Sequence, residues 1–567
     1  MSTTPSNSRL RAVNPEQTGS SPISSMQFMP KTPERKHDPI HPVLGSTPLA
    51  VGTSIMQKLQ PDANKPQKYD SAKYEQYIVQ DFERHRVFVD IDIFMKHVLH
   101  IPENWKELWG RTIRRIKRDG VFSTAHWDYS RQCGTRGVQE WRFYKPLVDM
   151  GNAILDFAVS SSDDSVKPQT LLRYLRNDPK RVSCGMINDL SPDVVAVHNG
   201  FLQHICLGEW NERHLRETNL TWAQPLQALE IKPWDSALVS GSCMPRLKVN
   251  GQDPWQNHAQ PYTPSRFPKR ETGSTTMGEA SASDFPPSRK RPADESLESN
   301  LKSQKVHYKS TPSGASSRVA AGGLRKPRGS ETDRQKDAYL QVGRYLLEQF
   351  SVPAFHSHAT IGLVDRDRIQ FYHTNHSVIL VSSAINFSPN DRTGGLDKFI
   401  AIIIAFSRLS LRDNGILHNL HNDKLFGDNE KLPTSQLTRE AVWMQEGNRM
   451  KFGGDEKTKP FTLVYGKVIS REPSLVGRST VVLHAKSLKW KDIDLVVKIS
   501  WPSSDRIAEN EFLERATKKA ESDEDHKWAL NHLPQALFAQ DVVFDSDSTH
   551  EKVASLFDNA KFVNGEY

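Results

Sequence analysis

A lysine inside an apolar run and a glycine turn before it could together hold the phosphate groups of a ligand. Lys498 lies within the β-branched segment 495–499, where a buried strand would place it. The turn at residues 477–480 enters a second strand, and Glu509 lies in a charged segment with helical composition. Backbone amides of such a turn can approach phosphate oxygens, while the carboxylate fixes the lysine. The order of turn, strand and helix predicts a phosphate-binding site.

A second group of residues has the composition of a metal site. Asp193 follows Ser-Pro and precedes an apolar run, and Glu230 closes another such run two residues before Lys232. Two carboxylates on adjacent strand ends can bind Mg²⁺, and a nearby lysine can position or activate an attacking water. The next predicted helix carries Gln341 and Tyr345 in a Gln-x-x-x-Tyr step. The alternative interpretation is a pair of strands with capping and exposed charges.

The residues around Lys498 resemble the nucleotide-binding lobe (N-lobe) of the fungal-type protein kinase family. The runs that carry the resemblance are Gly-Arg-Ser-Thr-Val-Val, Val-Val-Lys-Ile-Ser-Trp-Pro, Arg-Ile-Ala-Glu and His-Leu-Pro, in that order. The similarity covers about residues 460–567 and extends more weakly to the helix around Tyr144 and the strands from Phe371 to Phe387. It implies ATP-dependent phosphoryl transfer of the Ser/Thr type, with ATP and Mg²⁺ as cofactors.

The resemblance also implies a role for single residues of the lobe. The phosphate loop would be Gly477, Arg478, Ser479 and Thr480, the nucleotide lysine Lys498, and its partner Glu509 or, alternatively, Glu514. After Lys498 the sequence contains no His-Arg-Asp-like loop and no Asp-Phe-Gly-like triplet, and Asp541 and Asp545 look like strand-end caps. We therefore expect a kinase homologue truncated before its catalytic loop, which binds ATP weakly or not at all and is inactive alone.

The Pro-Asp and Glu-x-Lys steps resemble the core of PD-(D/E)xK nucleases. This resemblance implies Asp193, Glu230, Lys232 and Gln341 as the site, with Asp193 and Glu230 as metal ligands. Asp156, in the preceding helix, is the further acidic residue that we offer as a metal contact. The alternative function is thus a nuclease-like module, or a module that binds nucleic acid or a protein partner.

The elements that must position these residues predict an α+β fold. A kinase-like N-lobe with a five-stranded antiparallel sheet and one helix follows a mixed α/β module, and long segments are disordered. The predicted parts are a disordered tail (1–68), the mixed module (69–245 and 334–411), a disordered basic insertion (246–333), a linker (412–459) and the N-lobe (460–567).

Composition and charge limit the remaining possibilities. The net charge of +8 arises from 75 basic and 67 acidic residues, a mild excess that permits an anionic partner. The four cysteines show no metal-binding spacing. On or beside the predicted strands lie His356, His358, His373 and His376, which are more typical of ordinary exposed or hydrogen-bonded histidines than of metal ligands, the alternative. No segment has the length and hydropathy of a membrane span. Arg289, Lys290 and Arg291 resemble a nuclear import signal, so we expect an intracellular protein, nuclear or cytoplasmic.

Overall fold

The computed structural model describes a defined part of the chain. It covers residues 71–135, 137–178, 182, 190–199, 220, 222, 225–233, 237–238, 246–248, 331–351, 356–416, 449–452, 461–472, 474–487, 489–491, 493–502, 507–542, 544–558 and 561–563. The predicted tail, most of the predicted insertion with Arg289, Lys290 and Arg291, and most of the predicted linker lie outside the described residues. Every described helix and strand belongs to the same compact unit.

The larger sheet contains ten of the described strands. In chain order they are β1 (Arg86–Val89), β2 (Leu172–Arg176), β3 (Val194–His198), β4 (Pro225–Ile231), β5 (Arg246–Lys248), β6 (Ala359–Asp365), β7 (Arg368–Thr374), β8 (Ile379–Ser382), β9 (Ile385–Asn386) and, at the C-terminal end, β14 (Lys561–Val563). Their spatial order is β14-β5-β1-β8-β7-β6-β4-β3-β2, with β9 paired to β7.

Helices cover both faces of this sheet. They are α1 (Ser71–His85), α2 (Ile91–His97), α3 (Trp105–Arg118), α4 (Gly120–Gly134), α5 (Trp141–Ser160), α6 (Glu331–Ser351), α7 (Gly395–Arg408) and, near the C-terminal end, α9 (Thr549–Asp558). One face packs against α1 and α6 and the opposite face against the other helices. Because β4 and β6 are covered on both sides, every residue of these two strands is buried.

The strands that carry the predicted metal residues lie together at one side of the sheet. β2, β3 and β4 form an antiparallel meander, and β6 then pairs with β4 in parallel. A parallel neighbour requires a crossover connection, and α6 is the described helix between the two strands. This α5-β2-β3-β4-α6-β6 order brings the end of β4, the start of β3 and one side of α6 together.

Four further strands form a smaller antiparallel sheet in the order β10-β11-β12-β13. Their bounds are β10 (Arg449–Phe452), β11 (Phe461–Glu472), β12 (Thr480–Ser487) and β13 (Leu495–Ile499), and helix α8 (Glu509–Ser522) follows. Phe461, Leu463, Ala485 and Leu495 form its core. The prediction of an α+β fold with an antiparallel lobe is therefore confirmed.

The boundaries of the smaller lobe differ from those predicted. Among the described residues its sheet has four strands instead of five, and β10 comes from the segment predicted as linker. The last two described elements belong to the larger module, because α9 packs on α2 and β14 pairs with β5. Asp541 and Asp545 flank no described strand. Within the described residues, no helix combines the length and the apolar character needed to cross a membrane.

Candidate functional sites

Three carboxylates converge where β3 begins and β4 ends. Asp193 directly precedes β3, and the antiparallel pairing of Val194 with Leu229 brings it beside Glu230. Glu140 directly precedes α5, and its side chain makes no capping hydrogen bond to that helix. One carboxylate oxygen from each of these three acids lies within 4.8 Å of the others. Carboxylate oxygens at this separation are a ligand set suited to Mg²⁺, Mn²⁺ or Ca²⁺.

Hydrogen bonds hold each buried carboxylate in place. The Tyr144 hydroxyl donates to Asp193 Oδ1 at 2.6 Å, and the Ile231 amide donates to Asp193 Oδ2 at 2.7 Å. The Tyr345 hydroxyl donates to Glu230 Oε2 at 2.7 Å and accepts from Gln341 Nε2 at 2.8 Å. The predicted Gln-x-x-x-Tyr step of α6 thus orients the glutamate of β4.

Lys232 completes the group with a positive charge. Its ammonium forms an ion pair with Glu230, and the Nζ atom lies 3.7 Å from Glu140 Oε1. The side chains of Glu230 and Lys232 are 1% and 9% exposed, whereas that of Glu140 is 31% exposed. The site therefore reaches solvent on the side of Glu140.

The electrostatics of the group favour a cation. Burial, reinforced by the charges of Glu230 and Glu140, raises the pKa of Asp193 well above its usual range. Burial also raises the pKa of Glu230, although Lys232 and Tyr345 oppose the shift. Burial disfavours the charge on Lys232, but the surrounding carboxylates outweigh it and raise the pKa of the lysine. One ammonium does not neutralise three close carboxylates, so a divalent cation would replace protons on them.

The structure brings together Asp193, Glu230, Lys232 and Gln341, and it adds two residues that the sequence did not indicate. These are Glu140 and Tyr144, on either side of the start of α5. Asp156, the predicted further contact, instead forms an ion pair with Arg173 on β2, and its side chain is 58% exposed. The sequence did contain one clue to Glu140: it is an acidic residue directly before α5, the helix that leads into the β2-β3-β4 meander.

In the smaller lobe, Lys498 and Glu509 form an ion pair. Lys498 lies on β13 opposite Val482 of β12, and Glu509 is the first residue of α8. The alternative partner Glu514 lies one turn further along that helix and is exposed. The pair has the strand-to-helix arrangement of a lysine held by a carboxylate, and both side chains are partly exposed.

The predicted phosphate loop contacts the larger module. The Gly477 amide donates to the His376 carbonyl at 2.7 Å, and the Ser479 amide faces Ser474 Oγ at 3.2 Å. Leu475 is fully buried in the larger module's core, and Thr480 begins β12. Two of the amides that would approach a phosphate therefore already face protein atoms.

The histidines noted in the sequence, His356, His358, His373 and His376, are buried and do not form a metal site comparable to the carboxylates. Within the described residues, only Glu140, Asp193 and Glu230 bring three metal-ligating atoms so close together. The rings of His358 and His373 are inclined by 41° with centroids 5.1 Å apart, and the ring centroids of His376 and Phe350 are 3.9 Å apart. His376 contacts the turn at 474–479 through its carbonyl, whereas the His358 imidazole bonds to the Asp413 carbonyl.

Comparison with known proteins identifies one relationship. Residues 302–525 match the family described as fungal protein kinase, a segment that includes α6, β6 to β13 and α8 and so spans both sheets. The chain matches no curated protein and no solved structure. Tyr345 and Lys498 lie inside the matched segment, whereas Asp193 and Glu230 precede it. Over residues 302–525, the chain is therefore similar to the fungal protein kinase family.

Proposed function

We propose that the smaller lobe is the nucleotide-binding lobe of a protein kinase homologue. The ion pair between Lys498 and Glu509 is the observation that carries this proposal. In kinases a strand lysine contacts the α- and β-phosphates of ATP, and a helix glutamate holds the lysine in position. The family match over residues 302–525 supports the same assignment.

Lys498 should contribute more to phosphate binding than the turn at 477–480 does. Gly477 N–H already donates to the His376 carbonyl, so that amide is engaged within the protein. The negatively charged phosphates of Mg·ATP would contact the Lys498 ammonium, and Glu509 would keep that ammonium oriented toward the phosphates. Because the lobe would make few contacts to the phosphates, we expect this chain to bind Mg·ATP with a dissociation constant above about 1 mM. This corresponds to a binding free energy of less than about 4 kcal/mol.

Saturation-transfer NMR with Mg·ATP tests this proposal, because the method detects millimolar binding. We expect adenine signals with the full chain and their loss in Lys498→Met. Glu514→Gln, a change on the same helix as Glu509, is the matched control and should leave the signals intact. Equal signals in the Lys498→Met variant would overturn the assignment.

We propose, as a second function, that the carboxylate group binds a divalent cation for the hydrolysis of phosphate esters. The convergence of Glu140, Asp193 and Glu230 within 4.8 Å favours this candidate. Such a cation supplies charge to a phosphoryl oxygen and lowers the pKa of a bound water. Lys232 would orient that water or the phosphate, while Tyr345 and Gln341 hold Glu230 toward the site.

Thermal unfolding with and without Mn²⁺ or Mg²⁺ tests the cation site. Binding to the folded chain alone should raise Tm as the concentration of the cation increases. Glu230→Gln should remove that rise while the variant still unfolds cooperatively in EDTA. Asp156→Asn removes an acidic side chain outside the group and serves as the control. If both variants respond to Mn²⁺ as the unmodified chain does, the proposed cation site is wrong.

A further inference from the structure

The carboxylate group opens to solvent beside an exposed tryptophan. Trp141 directly follows Glu140, the most exposed of the three acids, and 47% of its surface remains accessible. The guanidinium of Arg142 lies 5.4 Å from the centroid of the Trp141 ring. The indole Nε1 donates to Gln139 Oε1 at 2.5 Å, which restrains the ring. An exposed aromatic side chain one residue from Glu140 can stack against a planar group.

A second cation, Arg176, lies over the ring of Tyr144. Arg176 ends β2, and its register partner Val194 directly follows Asp193. The Arg176 guanidinium lies 5.6 Å from the ring centroid of Tyr144, whose hydroxyl donates to Asp193. Arg176 is exposed, so its charge is available next to the buried acids. Arg176, whose guanidinium can bind phosphate, therefore lies at the edge of the cation site.

We propose that Trp141, Arg142 and Arg176 form a rim that binds single-stranded nucleic acid across the carboxylate group. This inference rests on the proposed cation site and names the polymer that the site receives. Arginine neutralises backbone phosphates, and an exposed indole stacks on a base that is free of its partner strand. In a duplex both faces of each internal base are already stacked. The rim therefore selects single strands over duplexes without reading sequence.

The charges also predict that binding depends on the cation. Three close carboxylates repel a phosphate backbone, and a divalent cation held among them reverses that repulsion. The rim should consequently bind an oligonucleotide more tightly in Ca²⁺ than in EDTA. Ca²⁺ is the cation of choice for the measurement because it takes the same oxygen ligands.

Fluorescence anisotropy with a labelled 12-nucleotide oligo(dT), the matching oligo(rU) and a 12-base-pair duplex tests the rim. The full chain in Ca²⁺ should bind the single strands at least tenfold more tightly than the duplex. Trp141→Ala should weaken single-strand binding between about fivefold and a hundredfold, the range of a lost base stack. Trp141→Phe should restore most of the affinity, because phenylalanine also stacks. Arg176→Ala should make the slope of log K against log salt concentration shallower, by the contribution of about one phosphate contact.

Trp528→Ala is the matched control, because Trp528 is 63% exposed but lies in the short helix after α8. Its affinity for the oligonucleotides should equal that of the unmodified chain. The proposal is overturned if Trp141→Ala binds oligo(dT) like this control, if the duplex binds as tightly as the single strands, or if no oligonucleotide binds. A Mn²⁺-dependent rise in Tm without oligonucleotide binding would leave the cation site standing and reject the rim alone. Binding that needs Trp141 but no cation would retain the rim and reject the cation site.

Discussion

The imidazole of His376 stacks on the indole of Trp501, with ring centroids 4.9 Å apart and planes inclined by 14°. His376 lies in the connection between β7 and β8 of the larger sheet, and Trp501 follows β13 of the smaller sheet. The Trp501 amide donates to the Arg478 carbonyl, and the His376 carbonyl accepts from the Gly477 amide, both at 2.7 Å. The two rings and these hydrogen bonds fix the turn at 474–479 against the larger module.

Replacement of Trp501 with alanine should release that turn. An aromatic pair contributes about 1 kcal/mol beyond the area that it buries, and the Arg478 carbonyl would be more open to water. We expect the amide of Gly477 to exchange hydrogen at least about tenfold faster, as measured by mass spectrometry of the peptide that contains it. Trp528→Ala should leave this exchange unchanged. An unaltered rate in Trp501→Ala would mean that the stack does not hold the turn.

The buried histidines should make the protein sensitive to acid. Burial lowers the pKa of His356 to about 3, of His358 to about 4 and of His376 to about 3. In the unfolded chain each of these side chains binds a proton below pH 6.5, whereas the folded chain does not until much lower pH. The free energy of unfolding should therefore fall with pH below 6.5, by about 1.4 kcal/mol per pH unit for each histidine.

His356→Gln isolates one of these contributions. Urea unfolding between pH 5 and 7.5 should show that the free energy of unfolding falls less steeply with decreasing pH in the variant. The difference in slope should correspond to about one fewer proton taken up on unfolding. The comparison cancels the contributions of other titrating groups, including the carboxylates with raised pKa values. The prediction fails if the two proteins lose stability with the same slope.

Two glycines with positive φ provide a matched pair of substitutions. Gly415 has φ +99°, and a Cβ there would overlap the backbone oxygen of His358. Gly394 has φ +82° and open space around the same position. Gly394→Ala should cost about 1 kcal/mol from backbone strain alone, and Gly415→Ala more than about 2 kcal/mol because a steric clash is added. Thermal and urea unfolding measure both. Equal losses would show that the loop at 415 relaxes around the added methyl group.

The role of Tyr144 can be tested through the cation. Its hydroxyl donates to Asp193 and thereby favours the ionised carboxylate. Tyr144→Phe should raise the pKa of Asp193 further, so that Mn²⁺ must displace a more firmly bound proton. We expect the Mn²⁺-dependent rise in Tm to move to higher pH. If the pH dependence is unchanged, Tyr144 packs beside the site without influencing it.

The sequence by itself was sufficient to predict those strands whose pattern of apolar residues is local. Alternating and continuous apolar runs indicated β3, β4 and β13, and the spacing of charged residues within them pointed to Asp193, Glu230 and Lys498. The strand predictions succeeded because the side-chain period of a strand and the nature of its flanking residues are local properties. The order of strands and helices was enough to predict an α+β fold.

The tertiary structure decided which distant residues meet. Glu140 and Tyr144 join the carboxylates only because α5 packs beside the β2-β3-β4 meander, and Asp156 fails to join them because it lies further along the same helix, where it pairs with Arg173. Likewise, nothing local in the turn at 474–479 shows that the Gly477 amide faces the His376 carbonyl, since that contact spans about a hundred residues of chain. Periodicity specifies which face of an element is apolar, but only the packing of those faces determines which polar groups end up within bonding distance.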